Sequence, residues 1–514
     1  MPLWRSLLAS SLLAASLSTA PAVQAQLPDT TRLLAKPAPE ALLTLPDAIA
    51  QARFSSPVLR RAAAELDPAR VAVRNAWGQL LPSAGVSGGI GFVGSGEQVF
   101  GGTIFQQPSA LTSNYQAGFD WQLGGPQIYN MSISRANQRF AERSLERVEV
   151  ALDADVATAY LTGLQATANA EVARQQFRRN IQFLEIAQAR QKVGQTSLFD
   201  VRQAEVTLNN AEVDLLRADQ AEVDAKLDLY VRIGVAPPVP VERVALVDTL
   251  ALEHPVYDEE SLAREAMEAN PELRAQQEAV NSARGSVKSA RSTFFPTLSA
   301  SAGWAGFTQE FSNVDGKLAD ITQQSQAGAA ACADDNVIRS SVGLSTVPNC
   351  NLAFGLNPSG TALLPFVQQE LVDANNVWPF DFTNQPFTTG LQVSIPIFQG
   401  FSRQLQVSQA KARLTQAEED ARALELQIRA AVTSRLTAVE TTWRAIEVQD
   451  RSRTAARDQL RLAAERYRLG SGTALEVADA LAAVTRADAA YINAVYDYHR
   501  ATVALHATLG RPYR

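Results

Sequence analysis

The sequence predicts an α+β membrane protein built from an internal two-fold repeat, with four strands and two long helical hairpins in each chain. Two observations predict this fold. Ala-rich helical patterns run into and out of a glycine-containing turn that occurs twice, at Gly194 and at Gly470. Segments in which apolar residues alternate with small or polar ones follow Pro82 in the first half and Pro296 in the second. Both halves of the 514-residue chain therefore share one plan.

The N-terminus has the layout of a secretory signal peptide over residues 1–25. Arg5 precedes an apolar run from Leu7 to Leu17, and the mature chain is expected to begin near Gln26. This run is too short for a membrane-spanning helix, and no later stretch of about 18 uninterrupted apolar residues follows it. The pattern excludes a helical membrane protein and predicts an exported one, without a cysteine that could anchor a lipid at the cleavage site.

The composition argues against several classes of function. A formal net charge of −7 argues against nucleic acid as a partner. The three histidines, His254, His499 and His506, have no metal-ligand or catalytic-triad spacing, and no Gly-rich phosphate loop follows a strand. Neither an enzyme, nor a metal site, nor a cofactor is expected.

The duplicated turns are predicted to be the tips of helical hairpins. Each glycine can take the left-handed conformation that ends a helix. Each is followed by the pattern of a capping box, Ser197-x-x-Asp200 in the first tip and Thr473-x-x-Glu476 in the second. The two tips align without gaps, which indicates a duplication.

Each half is predicted to open with one proline-bearing helix, from Pro46 to Leu81 and from Ser261 to Phe295. Pro57 lies in the first helix and Pro271 in the second. Pro57 precedes Pro82 by the same number of residues as Pro271 precedes Pro296. Thr44 is expected to cap the first helix, with a proline in the first turn behind it.

Two strands in each half follow a period of two. Their apolar positions are Ala84, Val86, Ile90 and Phe92, then Tyr115, Ala117, Phe119, Trp121 and Leu123, then Leu298, Ala300, Ala302 and Trp304, and finally Leu391, Val393 and Ile395. Strands of about ten residues with this alternation are typical of a membrane β-barrel wall. On the strand pattern alone, a soluble antiparallel sheet with one solvated face is the alternative.

Four strands cannot close a barrel that leaves an aqueous channel. A membrane interpretation therefore requires several chains to pool their strands. The number of strands in each chain therefore predicts an oligomer.

Long helices are predicted at about Gln127–Lys192 and Ser402–Arg468, with return helices at about Ser197–Ile233 and Thr473–Leu509. Each long helix would span about 100 Å, and the shorter proline-bearing helices would make up the length that the return helices lack. Each repeat is thus expected to form a rod with strands at one end and a glycine tip at the other.

The mature chain, 26–514, is divided into repeat one at 45–234, a Pro-rich linker at 235–260 and repeat two at 261–510. The linker is expected at the waist of the rod. The segment from about 306 to 386 is much longer than its counterpart in the first half and is rich in Gly, Asn, Gln, Ser and Pro. It joins two strands at the end opposite the tip, and is expected to be an extracellular loop.

Cys332 and Cys350 are the cysteines of the chain, and both lie in this insertion. In an exported protein such a close pair is more often a disulfide than a metal site. A disulfide that ties down the insertion is predicted.

The signal peptide, the repeated strand pairs and tips of the form Gly-x-x-x-x-x-[Asp/Glu]-Val together resemble the outer-membrane efflux protein family (TolC-like) over nearly all of the mature chain. The resemblance implies a homotrimer whose twelve pooled strands form a β-barrel in outer-membrane lipid, continued by a long periplasmic α-helical barrel. It implies an inner-membrane pump and a periplasmic membrane-fusion adaptor as partners.

This resemblance implies the exit duct of a tripartite efflux or type I secretion system. A periplasmic coiled-coil adaptor and a stand-alone porin are the alternatives. The cargo, whether drug, metal, lipid or protein, stays open.

The resemblance also implies site residues. The periplasmic entrance positions match Asp200, Tyr467, Glu476 and Asp479, of which the last two match acids that ring the opening. The adaptor-contact tips match Gly194, Gln195, Thr196, Gly470, Ser471 and Gly472. The family has an arginine at the position of Gly472 that helps to hold the entrance shut, so this chain departs from the pattern.

Each entrance residue has a structural alternative. Asp200 and Glu476 occupy capping-box positions, where a carboxylate can act on the helix alone. Tyr467 can be a packed residue of the hairpin. Asp479 lies one turn beyond Glu476 on the same helical face and has no capping role, so it is the best candidate for an acid that faces the channel.

Overall fold

The computed structural model describes residues 38–100, 103–249, 251–383 and 385–512. The predicted signal peptide, residues 1–25, lies outside the described residues. None of the helices in the described ranges combines the length and the apolar character that a membrane span requires.

The helices follow one another in the order of the predicted repeat. They are α1 (Leu45–Ser55), α2 (Pro57–Ala64), α3 (Leu66–Gly78), α4 (Gly125–Lys192), α5 (Leu198–Ile233), α6 (Glu259–Ala269), α7 (Pro271–Ser292), α8 (Val314–Ser341), α9 (Cys350–Ala353), α10 (Pro365–Asn375), α11 (Ser402–Arg468) and α12 (Ala474–Thr508). The long helices α4 and α11 and the return helices α5 and α12 confirm the predicted hairpins within two residues at each end.

The strands form one large sheet and two small ones. They are β1 (Ala41–Leu43), β2 (Ser83–Val93), β3 (Gly96–Phe100), β4 (Thr103–Gln107), β5 (Ala110–Leu123), β6 (Val244–Leu246), β7 (Thr297–Phe311) and β8 (Thr388–Ser394). The large sheet has the order β2-β5-β7-β8 with antiparallel pairs, which confirms the four predicted strands. Ile395, predicted as a strand residue, lies just beyond the end of β8.

The register separates the sheet into an apolar and a polar face, because residues opposite each other in an antiparallel pair lie on the same side. One row aligns Val86 with Ala117 and Ala117 with Trp304. A neighbouring row of the opposite face aligns Asp120 with Ser301. The alternation seen in the sequence is thus consistent across all four strands.

The prediction of one continuous proline-bearing helix in each half was wrong. The first is broken at Ser56 and again at Glu65, and the second is broken at Asn270. Ser56 and Asn270 each precede a proline and have ψ angles of 123° and 119°. The ring of a following proline disfavours the helical region for the residue before it, so both breaks have the same cause.

The glycines that end the return helices pack against these breaks. Gly234 has φ 84°, and a Cβ built on it would lie 2.8 Å from Pro57 Cδ. Gly510 has φ 74°, and its Cβ would lie 3.0 Å from Pro271 Cδ. Only a glycine combines this conformation with such a close approach. The same glycine–proline contact therefore occurs in both repeats.

The waist of the rod contains a small parallel sheet that the sequence pattern did not predict. β1 precedes the first repeat, and β6 lies within the linker 235–260 and pairs with it. The Tyr160 hydroxyl donates to Leu43 O at 2.9 Å, and the buried Lys226 donates to Val244 O at 2.7 Å. The segments that flank the first repeat are therefore fastened to α4 and α5.

The insertion, expected to be an extracellular loop, contains helices that the sequence pattern did not predict. It contains α8, α9 and α10 around a small core of Ala329, Leu356 and Leu363. Cys332 and Cys350 form a disulfide with a Cα–Cα distance of 5.8 Å. This disulfide joins α8 to the start of α9.

Candidate functional site at the hairpin tips

Both hairpins turn at a left-handed glycine. Gly194 has φ 74° and Gly470 has φ 79°. The N–H of the residue after Gly194 donates to Arg190 O at 2.9 Å, and the N–H of the residue after Gly470 donates to Arg466 O at 3.0 Å. These bonds satisfy carbonyls that the end of a helix leaves open, so both tips close in the same way.

The two caps that follow the turns differ. In the first tip Ser197 accepts from Asp200 N–H at 3.3 Å, and the Asp200 carboxylate accepts from Ser197 N–H at 3.1 Å. In the second tip Thr473 accepts from Glu476 N–H at 3.2 Å, while the Glu476 carboxylate lies 3.8 Å from Arg466. The capping box predicted at Glu476 is therefore only half present, because its carboxylate is directed to an arginine of the preceding helix.

Asp200 is held as a carboxylate by its own turn. The Thr196 hydroxyl donates to it at 2.5 Å, which is the largest cause of a pKa below the ordinary range for an aspartate. Burial acts in the opposite direction, and the N–H and hydroxyl of Ser197 and the charge of Arg190 lower the pKa further. Asp200 thus serves as a helix cap in this structure and stays charged.

Tyr467 lies inside a cluster that joins the two hairpins. Its side chain is only 5% exposed and packs with Phe183 and Val201 of the first hairpin and with Leu481 of the second. The ring of Phe183 lies 5.8 Å away, centroid to centroid. Within the described residues the Tyr467 hydroxyl has no hydrogen-bond partner. The ring of Tyr467 is therefore a packing element between the hairpins.

Arg190 connects the hairpins by a polar contact that sequence reasoning missed. Its guanidinium carbon lies 4.6 Å from the centroid of the Tyr467 ring, and its Nη1 donates to the Tyr467 carbonyl. The contact combines a cation–π interaction with a charged hydrogen bond to the last turn of α11. A basic residue in the last turn of α4 was visible in the sequence, but nothing in the pattern paired it with Tyr467.

Gly472 occupies a crowded position, where an added side chain would require its neighbours to shift. A Cβ there would lie 3.0 Å from Tyr467 N and 3.1 Å from Arg466 Cβ. The N–H of Gly472 donates to Arg466 O at 3.0 Å, which holds the turn against the end of α11. Where the family resemblance leads one to expect an arginine, this chain has a glycine in a close turn, beside which Arg190 of the other hairpin contacts Tyr467.

The two acids of the second tip face solvent in the single chain. Glu476 and Asp479 are both exposed and lie three residues apart on α12. Within the described part of the chain, the Asp479 carboxylate has no ion-pair or hydrogen-bond partner.

Apolar side chains are exposed around both turns. They are Val193, Leu198 and Phe199 in the first tip and Leu469 and Leu475 in the second. The six predicted tip residues lie in the turns themselves, next in sequence to these exposed apolar side chains. Such a surface is typical of a protein contact site.

A cleft of about 920 Å³ lies at the other end of the rod, where the polar face of the sheet meets α3. Asp120, Gln122 and Gln392 line it from the strands, and Asn75 and Gln79 line it from α3 and the residues that follow it. The cleft therefore lies between the large sheet and α3, and Trp121, Ala300 and Leu391 of the apolar row also line it.

Comparison with protein families matches the chain to one family model. The model described as "Outer membrane efflux protein" matches residues 48–235 and 367–511, which is more than half of the chain. The unmatched middle contains the linker and most of the insertion.

Curated relatives from Pseudomonas putida match more narrowly. The probable efflux pump outer membrane protein TtgC and the antibiotic efflux pump outer membrane protein ArpC are each 24% identical over 255 residues, which is 48% of this chain. The match covers 50% of each relative, so the chain spans about half the length of the curated relatives it matches.

Solved structures share the fold over nearly the whole chain. The outer-membrane channel OprN has a TM-score of 0.66 at 18% identity and covers 97% of this chain and 98% of its own. The outer membrane protein VceC from Vibrio cholerae has a TM-score of 0.65 at 18% identity, over 91% of this chain and 97% of its own. At 18% identity, the similarity to these structures establishes that the chain shares their fold.

Proposed function

Because this chain belongs to the outer membrane efflux protein family, we propose that it forms the outer-membrane exit duct of an efflux or secretion system. In this proposal the large sheet crosses the outer membrane, and the helical hairpins extend into the periplasm. Substrate delivered by an inner-membrane pump passes through a channel that several copies enclose.

The observation that carries the proposal is the exposed apolar face of the large sheet. Val86 is 82% exposed, Leu391 is 73% exposed, and Phe119 and Trp304 are also exposed. The main packing partners of the four strands are one another, and the polar residues Asp120, Gln122 and Gln392 border the cleft. A sheet that is apolar outside and polar inside is the wall of a membrane barrel.

The edges of the sheet supply the reason for oligomerisation. β2 and β8 are the edge strands, and every residue of both is exposed in the single chain. An open edge cannot lie in hydrocarbon because its N–H and C=O groups would lack partners. Pairing of β2 of one copy with β8 of the next closes the ring and removes both edges.

The helices support the same arrangement. α7 packs against both α4 and α11 of its own chain and buries residues such as Leu273 and Val280. Its repeat counterpart α3 packs on α4, buries only Ala76 and leaves Val71 exposed. By the symmetry of the repeat, the missing neighbour of α3 is α11 of another copy.

We propose three copies, as the resemblance implies. Two copies would give an eight-stranded barrel, whose interior is filled by side chains. Three copies give twelve strands. A ring of twelve strands leaves more room for the long side chains of the polar face, such as Gln122 and Gln392. The two hairpins of each copy then contribute to a helical tunnel whose narrow end contains the tips.

At that end, Glu476 and Asp479 form the negative ring of the entrance, and Asp200 and Tyr467 shape it through the cap and the packing described above. The exposed apolar side chains of the tips are the contact site for a periplasmic adaptor. The names of the relatives, an efflux pump outer membrane protein in each case, support a pump as a partner.

The test is the mass and the conductance of the purified full-length protein. In detergent, mass photometry should find a trimer, and the same sample should conduct ions in planar bilayers. Val71→Asp should shift the population toward monomer, because assembly would bury an unpaired charge at a cost of several kcal/mol. The matched control Ile338→Asp places the same charge on the exposed surface of α8 in the insertion and should leave the trimer intact.

A stable monomer that conducts would overturn the proposal in favour of a stand-alone porin. A water-soluble chain that never conducts and still binds a pump would favour the coiled-coil adaptor.

A further inference from the structure

We infer that residues 376–383 form an aromatic strap that lies in the headgroup layer of the membrane and fixes how deep the sheet sits. The inference rests on the proposed membrane role of the sheet and adds to it a lipid-contacting element outside the strands. The strap joins α10 to the region before β8 and has no regular secondary structure.

The strap lies on the apolar face of the sheet. Phe382 packs on Tyr115 with a centroid distance of 4.8 Å, and Tyr115 belongs to the apolar row of β5. Pro379 O accepts from the Thr308 hydroxyl at 3.2 Å and also from the Ser113 hydroxyl. The strap thus crosses the same face that carries Val86 and Trp304, at the end of the sheet far from the tips.

Gly306 lets the strap lie flat on this face. A Cβ at Gly306 would lie 2.4 Å from Tyr115 Cε1, 2.8 Å from Thr383 O and 3.1 Å from Phe382 Cβ. Thr383 N–H also donates to Phe307 O at 3.1 Å, which ties the strap to the edge of β7. The strap is therefore fitted to the sheet at several points.

The polar groups beneath the strap show where the apolar face ends. Ser113 and Thr308 lie opposite each other on the outward face, and their hydroxyls are 2.6 Å apart and buried. On β7 the outward residues from Leu298 to Gly306 are apolar or glycine. Thr308 is the first outward hydroxyl on β7 beyond this apolar run, and the strap covers it together with Ser113.

The height of the apolar face matches a membrane. The path along β7 from Leu298 to Thr308 is about 34 Å long at about 3.4 Å per residue. At a strand tilt of about 40° this gives a height of about 26 Å, against an apolar band of about 25 Å in membrane barrels. The strap therefore lies where the hydrocarbon ends.

The chemistry of the strap fits this boundary and no deeper position. Trp378 is 71% exposed and Phe380 is 60% exposed, and their rings continue the aromatic contacts that begin at Phe382. Aromatic side chains favour the interface between hydrocarbon and water. The irregular backbone and the exposed Asp381 cannot enter hydrocarbon, so the rings reach the lipid while the backbone stays at the headgroups.

The experiment measures quenching of tryptophan fluorescence by brominated lipids. Full-length protein is reconstituted in phosphatidylcholine vesicles that carry bromine at a shallow or at a deep position of the acyl chain. Parent protein is compared with Trp378→Phe, and the difference reports Trp378. Trp443→Phe is the matched control, because Trp443 lies on α11 beside His254, far from the sheet.

Trp378→Phe should remove a component that shallow bromine quenches at least twofold more than deep bromine, while Trp443→Phe should leave the lipid-quenched signal unchanged. The inference is overturned if Trp378 is quenched by aqueous iodide and not by lipid, or if neither reaches it because a neighbouring copy covers it. Trp304→Phe distinguishes failure of the strap proposal from failure of the membrane role of the sheet. If brominated lipid quenches Trp304 and not Trp378, only the strap is wrong, and if it quenches neither, the membrane role of the sheet fails as well.

Discussion

Arg190 of the first hairpin lies over the ring of Tyr467 of the second, 4.6 Å from its centroid, and donates to the carbonyl of the same residue. The two residues belong to different repeats, so their contact holds the ends of two hairpins together. Movement of one hairpin tip away from the other must break it.

Arg190→Ala should loosen the tips. Loss of a cation–π contact and of a charged hydrogen bond costs about 2 kcal/mol, and every 1.4 kcal/mol corresponds to tenfold in an opening equilibrium. Hydrogen exchange should therefore become at least tenfold faster in the segments around Phe183 and Leu481. The control Arg202→Ala removes an exposed pair with Glu205 on α5 and should have little effect. Unchanged exchange in Arg190→Ala would show that the contact does not hold the tips.

Gly472→Ala should destabilise the second tip. The added Cβ meets Tyr467 N and Arg466 Cβ at about 3.0 Å, and relieving such contacts costs about 1–3 kcal/mol. The measurement is the midpoint of thermal unfolding together with proteolysis at the tip. Gly78→Ala is the matched control, since a Cβ there meets nothing within 4 Å. Equal behaviour of the two variants would refute the tight-turn account.

Glu476→Ala and Asp479→Ala, made separately and together, should lower cation selectivity and weaken block by added divalent or trivalent cations in single-channel recordings. In the proposed trimer these acids would form a narrow ring, and their summed negative field would favour cations. Because the Glu476 side chain does not close its capping box, Glu476→Ala should cost little helix stability, whereas Asp200→Ala should cost about 1 kcal/mol. Asp458→Ala on α11 is the control. If Asp479→Ala selects like the parent, the entrance assignment is wrong.

The Cys332–Cys350 disulfide should be present in the exported protein. Thiol labelling of the unreduced, denatured protein should find no free thiol, and two labelled cysteines per chain would contradict the prediction. Replacing both with serine should destabilise the insertion by about 3 kcal/mol, because the bond closes a loop with a sequence separation of 18. The effect should be confined to α8 and α9, which hydrogen exchange can localise.

Stability should fall as the pH is lowered through the range where histidine titrates. His499 is buried, and burial lowers its pKa in the folded state below the ordinary value near 6.5. The unfolded chain therefore binds the proton first, and stability is lost below about pH 6.5, by at most about 1.4 kcal/mol per pH unit for one site. His499→Phe should flatten the dependence of the unfolding midpoint between pH 8 and 5. An unchanged slope would exclude His499 as its source.

The duplicated features were predictable because a single backbone requirement produces each of them. Gly194 and Gly470 satisfy the left-handed turn, and the prolines Pro57 and Pro271 recur with the helix they interrupt. The sequence did not predict the contact of Arg190 with Tyr467, because it joins side chains from two repeats whose approach depends on how the hairpins pack.

Other misses have local causes. The breaks at Ser56 and Asn270 follow from the restriction on a residue before proline, which the helical periodicity concealed. The helices of the insertion were missed because a composition rich in Gly, Asn and Pro indicated a loop, while their small core around Leu356 and the disulfide stabilise them.

The open edges of β2 and β8 have a consequence for the life of the chain before assembly. Unpaired strand edges beside an apolar surface are templates for aggregation. In the proposed assembly, a copy would carry both edges through an aqueous compartment before the ring closes, and its stability would depend on the concentration of other copies. We expect the single chain to need a holding chaperone until the ring closes. The strands that would build the barrel wall thus make the unassembled chain prone to aggregation.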